Sequence, residues 1–105
     1  MIHEFSRTEL LIGPEAMERL KKAEVAVFGV GGVGSHCIDA LARGGVGSLI
    51  LIDNDKVSLT NINRQCVAYH HTVGQYKTKI MEEQIRAVCP GIRVQTYERF
   101  ILKED

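Results

Sequence analysis

Six consecutive residues, Gly29-Val30-Gly31-Gly32-Val33-Gly34, have the composition of a loop that lets the backbone approach a phosphate. Glycine turns tightly because it lacks a Cβ, and a helix that starts directly afterwards offers an anion free N–H groups and the positive end of its dipole. Both flanks that such a loop needs are present. An apolar run at residues 25–28 precedes it, and Val33, Cys37, Ala40 and Leu41 recur at helical spacing after it. A purely structural glycine turn is the bland alternative, and the flanks argue against it. Asp53 closes a second apolar run, residues 49–52, about 20 residues past the glycines, where a carboxylate accepts hydrogen bonds from ribose hydroxyls. To this point NAD fits as well as ATP.

The next segment separates the two: Asp53-Asn54-Asp55-Lys56-Val57-Ser58-Leu59-Thr60-Asn61-Ile62-Asn63-Arg64-Gln65, with Lys77 opening the following helix. The glycine loop can largely satisfy a diphosphate, whereas a triphosphate under attack needs cations around its reacting and leaving groups. Arg64 and Lys77 have the chemistry to supply them. Singly each reads as a solvated surface residue, but the acid, the Asn-x-Asn-Arg-Gln run and the lysine together form a compound pattern. Other reactive side chains have duller readings. Cys66 lacks a basic partner at a defined spacing and reads as core filling, and Cys37 reads as core on the Val33 and Leu41 face. His70 and His71, as neighbours, would not share a helix face to bind a metal, and Met17 and Leu20 are ordinary core candidates. No metal site is expected among these residues.

The elements that must position these groups alternate. Ser6-Arg7-Thr8-Glu9 fits a capping box for a short helix that Gly13 stops, and Pro14 opens a second helix to about Lys22. Residues 25–28 and 49–52 read as strands buried on both faces, with a helix between them that Gly44-Gly45 ends. Residues 53–74 have no clear period, and a loop this long in a compact domain is usually functional. A helix over 75–88, stopped by Pro90-Gly91, and a third strand over 92–97 follow. The expected fold class is therefore α/β: a Rossmann-like, mononucleotide-binding half of a doubly wound, mainly parallel sheet, preceded by short amino-terminal helices. Residues 1–23 form the helical segment, and residues 24–105 the front part of a nucleotide-binding domain. Half of such a sheet leaves an exposed edge, so a longer polypeptide is expected.

Composition narrows the classes. Thirteen bases balance thirteen acids, so no broad basic field invites nucleic acid or anionic membrane. No segment approaches a membrane span, and the amino terminus lacks a signal layout, which makes the cytoplasm the default compartment. Three dispersed cysteines without CxxC spacing suggest neither a disulfide framework nor a zinc knuckle.

The blocks Gly29 to Gly34, Asp53 to Val57, Asn61 to Gln65 and Val73-Gly74-x-x-Lys77 resemble the ATP-binding set of the ubiquitin-activating-enzyme-like adenylyltransferases over nearly the whole chain. Within that family, Arg7-Thr8-Glu9-Leu10-Leu11-Ile12-Gly13 and Thr60 to Gln65 are more similar to the dehydratases that cyclise threonylcarbamoyladenosine in tRNA than to the activators of ubiquitin-like sulfur carriers. The resemblance implies an ATP site at Gly29, Gly31, Gly32, Gly34, Asp53, Asp55, Asn61, Asn63, Arg64, Gln65 and Lys77. The amides near Gly32 would hold phosphate, Asp53 the ribose, and Asn61, Arg64 and Lys77 the phosphates. Arg7 would act catalytically from the partner of a homodimer, beside Arg64 and Lys77. The implied reaction is adenylation of a carboxylate, with ATP and Mg2+, the metal-binding acid lying beyond residue 105. The 105 residues alone are then expected to be inactive. The alternatives are adenylation of a sulfur carrier's carboxyl terminus, an NAD-binding oxidoreductase domain, and an idle binding module.

Overall fold

The computed structural model describes residues 2–99. Helix α1 (Ser6–Lys22) leads into strand β1 (Glu24–Phe28), helix α2 (Gly32–Arg43), strand β2 (Ser48–Ile52), helix α3 (Lys77–Val88) and strand β3 (Arg93–Tyr97). The strands are parallel in the order β1-β2-β3, in a register that aligns Val25, Leu49 and Val94, then Val27, Leu51 and Thr96. Because successive strand residues face opposite ways, these rows share one face. They meet α2 and α3 there: Leu49, Leu51, Ile38, Ala42 and Met81 are fully buried in a single apolar cluster, joined by Val27, Ile80 and Ile85. The molecule is a slab of 41 × 35 × 19 Å, thin enough for two layers. This is the α/β arrangement anticipated from the alternation of apolar runs and helices.

The opposite rows, Ala26-Ile50-Gln95 and Phe28-Ile52-Tyr97, carry no helix among the described residues. Phe28 is 63% exposed and Tyr97 47%. The expectation that β1 is buried on both faces is therefore corrected: Val27 is buried, but Ala26 and Phe28 are open, because one layer of helices covers one face. Only β2, flanked on both sides, approaches burial along its whole length.

Two other expectations change. Ser6 is the first helical residue rather than a cap, and no side chain caps α1. Its hydroxyl accepts the His3 amide at 2.7 Å, so it serves the turn before the helix instead of the helix end. The helix does break at Gly13, with φ 86°, followed by Pro14, so two helical pieces stand end to end as expected. On α2 the buried face is Ser35, Ile38 and Ala42, whereas Val33 is 88% exposed and Cys37 is exposed. The helical period was right and its phase was not: both stripes contain small apolar residues, and burial follows the one that faces β1 and α3.

Candidate nucleotide site

The glycine loop leaves β1 at its carboxyl end. The Gly29 amide donates to the Ile52 carbonyl at 2.8 Å, one step beyond the strand ladder, and its φ of 94° turns the chain out of the sheet. A Cβ on Gly34 would collide with the Gly29 carbonyl, so α2 sits against the end of β1 only because that position is glycine. The first helical hydrogen bond of α2 runs from Ser35 N to Gly31 O at 2.9 Å. The amides of Gly32, Val33 and Gly34 thus precede the helix's own bonding and form the donor cluster that suits an anion.

Asp53 follows β2 and is fixed by three contacts. Its Oδ2 accepts the Val30 amide of the glycine loop at 2.6 Å, its Oδ1 accepts the Asp55 amide at 2.7 Å, and its own amide donates to Tyr97 O at 3.0 Å. One carboxylate therefore joins the glycine loop to the long segment that follows, with lone pairs remaining on each oxygen. That segment is ordered rather than slack. Lys56 and Tyr76 form an antiparallel bridge, the Val57 amide donates to Gln75 O and the Gly74 amide to Val57 O, each at 2.8 Å, and the Lys56 ammonium lies 5.1 Å from the Tyr76 ring centre. Lys77 N donates to Asp55 O at 3.1 Å, so α3 begins beside Asp53. The Lys77 side chain is 8% exposed, with Nζ 3.9 Å from Asp55 Oδ2.

Gln65 lies against the glycine loop, its Nε2 3.7 Å from where a Gly31 Cβ would stand, and the Arg64 carbonyl is 4.0 Å from the corresponding point on Gly32. Gln65 is 8% exposed, and its Oε1 is a buried acceptor without a partner among the described residues. Such an atom carries a cost of about 1–3 kcal/mol until a donor reaches it. Asn61 is buried too, and its Oδ1 accepts the Ser58 amide at 2.9 Å. Asn63 and Arg64 are exposed, the guanidinium folded onto Thr60 O at 3.1 Å and Asn63 Oδ1 at 3.0 Å.

The structure thus gathers Gly29, Gly31, Gly32, Gly34, Asp53, Asp55, Gln65 and Lys77 at one edge of the sheet, with Asn61, Asn63 and Arg64 on the adjoining turn. It does not bring Arg7 there. Arg7 is exposed, and Phe5 and Met17 on either side of it pack at Gly45, ahead of β2 and at the opposite end of that strand from Asp53. One supporting pair escaped sequence reading: the buried Thr78 hydroxyl donates to Glu98 Oε1 at 2.9 Å, anchoring the first turn of α3 to the end of β3. The signal available for it was an acid just past a strand's carboxyl end, where ligand crevices of such sheets form. A cleft of about 710 Å³ lies elsewhere, between α2 and α3 and lined by His36, Asp39, Cys66, Tyr69 and Gln84, and it contains none of the candidate residues. Cys66 borders that cleft, half-buried, its carbonyl accepting Gln84 Nε2 at 3.0 Å.

Known proteins match the chain over nearly its whole length. The tRNA threonylcarbamoyladenosine dehydratase of Bacillus subtilis is 49% identical over 104 residues, covering 99% of this chain and 41% of that protein. The sulfur carrier protein adenylyltransferase of Thermus thermophilus is 36% identical over 94 residues, covering 90% of this chain and 35% of that one. The crystal structure of the Escherichia coli dehydratase in complex with ATP superimposes with a TM-score of 0.94 at 40% identity, covering 96% of this chain and 42% of that one. The chain thus spans about two fifths of the dehydratases' length, the shares being 41%, 36% and 38%. A ThiF family model matches residues 5–105, and with the glycine loop, Asp53 and Lys77 set at one sheet edge, the chain belongs to the ThiF family.

Proposed function

We propose that the chain is the nucleotide-binding front of an ATP-dependent adenylating enzyme, and that the substrate of the full-length enzyme is threonylcarbamoyladenosine in tRNA, which that enzyme cyclises with loss of water. The observation that carries the reading is the run of hydrogen bonds that ties the glycine loop, at the Val30 amide, through Asp53 and Asp55 to the buried Lys77 at the start of α3. Amide donors and a desolvated cation suit phosphates whose charge grows in the transition state. In this reading the substrate carboxylate attacks the α-phosphorus of ATP, the bond to the β-phosphate breaks, and pyrophosphate leaves. The acyl-adenylate then closes on itself and releases AMP. Gly31, Gly32 and Gly34 shape the phosphate cradle, Asp53 takes the ribose, and Lys77, Arg64, Asn61, Asn63 and Gln65 surround the phosphates. Magnesium would accompany the ATP, with its metal-binding acid supplied by the full-length enzyme beyond residue 105.

Arg7 enters as a residue given to a partner subunit. It is exposed at the start of α1, and Leu10 and Leu11 beside it are 86% and 88% exposed, an apolar pair that suits burial in a homodimer. No described helix is long and apolar enough to cross a membrane. The 36% identity to a sulfur carrier adenylyltransferase supports the second reading, in which a carrier's carboxyl terminus is the substrate.

The test is full-length protein with ATP, magnesium and tRNA bearing threonylcarbamoyladenosine, followed by mass spectrometry of the nucleosides. Loss of one water supports the dehydratase reading. Unchanged tRNA, with AMP transferred to a sulfur carrier, replaces it with the second. Tighter binding of NAD than of ATP in calorimetry would sink adenylation altogether.

A further inference from the structure

Lys77 is 6% exposed, and burying an ammonium without an opposite charge is costly. Its one ion-pair partner among the described residues is Asp55, with Oδ2 3.9 Å from Nζ. Hydrogen bonds between nitrogen and oxygen extend to about 3.2 Å, so this is an ion pair without a hydrogen bond. The two residues are nonetheless fixed to one another through the backbone, Lys77 N to Asp55 O at 3.1 Å, and Asp55 N is held by Asp53 Oδ1 at 2.7 Å. Nearby charges are engaged elsewhere. Both oxygens of Asp53 accept backbone amides, the Lys56 ammonium lies over Tyr76, and Arg64 is folded onto Thr60 and Asn63.

We propose that Asp55 is a positioning residue that acts as a stand-in anion: its carboxylate holds the Lys77 ammonium in the ligand-free site and yields it to a phosphate of the incoming nucleotide. This rests on the adenylation reading. A pair without a directional bond gives up little when it separates, whereas a phosphate oxygen at hydrogen-bonding distance offers the ammonium a short charge-assisted contact. Asp55 therefore opposes nucleotide binding, and it does so through Lys77. Its side chain is 61% exposed and its backbone contacts survive substitution, so Asp55→Asn isolates the carboxylate charge.

The experiment measures ATP affinity by calorimetry for the full-length protein, Asp55→Asn, Lys77→Met and the double variant, with melting curves to verify folding. Asp55→Asn is expected to bind ATP at least about fivefold more tightly than the unaltered protein, and Lys77→Met more weakly. In the Lys77→Met background the effect of Asp55→Asn should vanish. Equal tightening in both backgrounds would reduce Asp55 to general repulsion of the phosphates and overturn the stand-in role. Unchanged or weaker binding by Asp55→Asn overturns it as well, and Asp55→Ser serves the same comparison if the Asn variant does not fold. Failure of the unaltered protein to bind ATP overturns the adenylation reading, and this proposal with it.

Discussion

At the carboxyl ends of the strands, hydrogen bonds run unbroken from Val30 through Asp53 and Asp55 to Lys77, whose side chain is buried, and the buried Gln65 side chain stands beside the glycine loop. At the amino ends, α1 meets the sheet through Leu20, whose carbonyl accepts the Gly47 amide at 3.0 Å, and through Met17 and Phe5 against Gly45. The first half of that helix leaves Leu10 and Leu11 in solvent. One end has its polar groups fixed before any ligand arrives, which lowers the ordering cost of binding. The other end offers apolar surface with nothing to cover it among the described residues. Preorganisation at the first region and incompleteness at the second make opposite predictions for substitution.

The largest effect should come from Lys77→Met in the full-length enzyme. Loss of a cation that answers transition-state charge costs on the order of 3 kcal/mol, a turnover decrease of about a hundredfold, read by steady-state kinetics with folding verified by circular dichroism. Full activity in that variant would dissolve the distinction between the two ends, because the buried ammonium would then be structural. Next in size is Gly34→Ala. Its Cβ meets the Gly29 carbonyl, a backbone atom that cannot swing aside as a flexible side chain can. The first turn of α2 must shift, at about 1–3 kcal/mol, measured by denaturant unfolding. An unchanged midpoint would show that the contact between loop and helix is slack.

How much of this was legible in the sequence differs between the regions in the same way. Gly29 to Gly34, Asp53 and Lys77 carry local signals, glycine spacing and position at element ends, and these survive without knowledge of the rest of the fold. Burial on α2 and β1 was harder. Cys37 and Val33 share a period with the true core face of Ser35, Ile38 and Ala42, and only the third dimension decides which stripe meets β1 and α3. Likewise the apolar run of β1 does not reveal that Ala26 and Phe28 stand on a face without helices. Ser6 illustrates competition: its hydroxyl fits a cap equally well, but the turn from His3 takes it first. The link from Thr78 to Glu98 joins residues twenty apart, and its one local trace is an acid just past a strand's carboxyl end, which does not name its partner.

Arg7→Ala sharpens the comparison from the other end. An exposed substitution at the start of α1 should change stability by no more than about 0.5 kcal/mol, yet lower turnover if the residue completes a partner's site. Mixing Arg7→Ala with Lys77→Met should then restore part of the activity, since some heterodimers hold one site with both groups intact. No rescue despite demonstrated subunit exchange would place Arg7 outside the reaction in trans.

The smallest effect concerns the amino-terminal arm and its attachment to the loop before β3. Burial pushes the Cys89 thiol up, and a hydrogen bond with Glu4 adds to it. The Glu4 carboxyl is held below its ordinary range by its backbone and by the same thiol. A group raised on folding contributes stability at low pH and loses it as pH climbs through the raised value. The lowered carboxyl does the reverse, losing its contribution as pH falls through the lowered value. The attachment is therefore expected to hold at neutral pH and to loosen in alkali once the thiol ionises beside the carboxylate. Alkylation at mildly alkaline pH should modify the exposed Cys37 first and Cys89 more slowly. Glu4→Gln removes the neighbouring negative charge, so it should lower the thiol's proton affinity and speed labelling of Cys89 relative to Cys37, followed by peptide mass spectrometry over a pH series. Equal labelling rates at Cys37 and Cys89 in the unaltered protein would mean that the arm is not attached there, and that the amino end of the sheet is looser still than its contacts indicate.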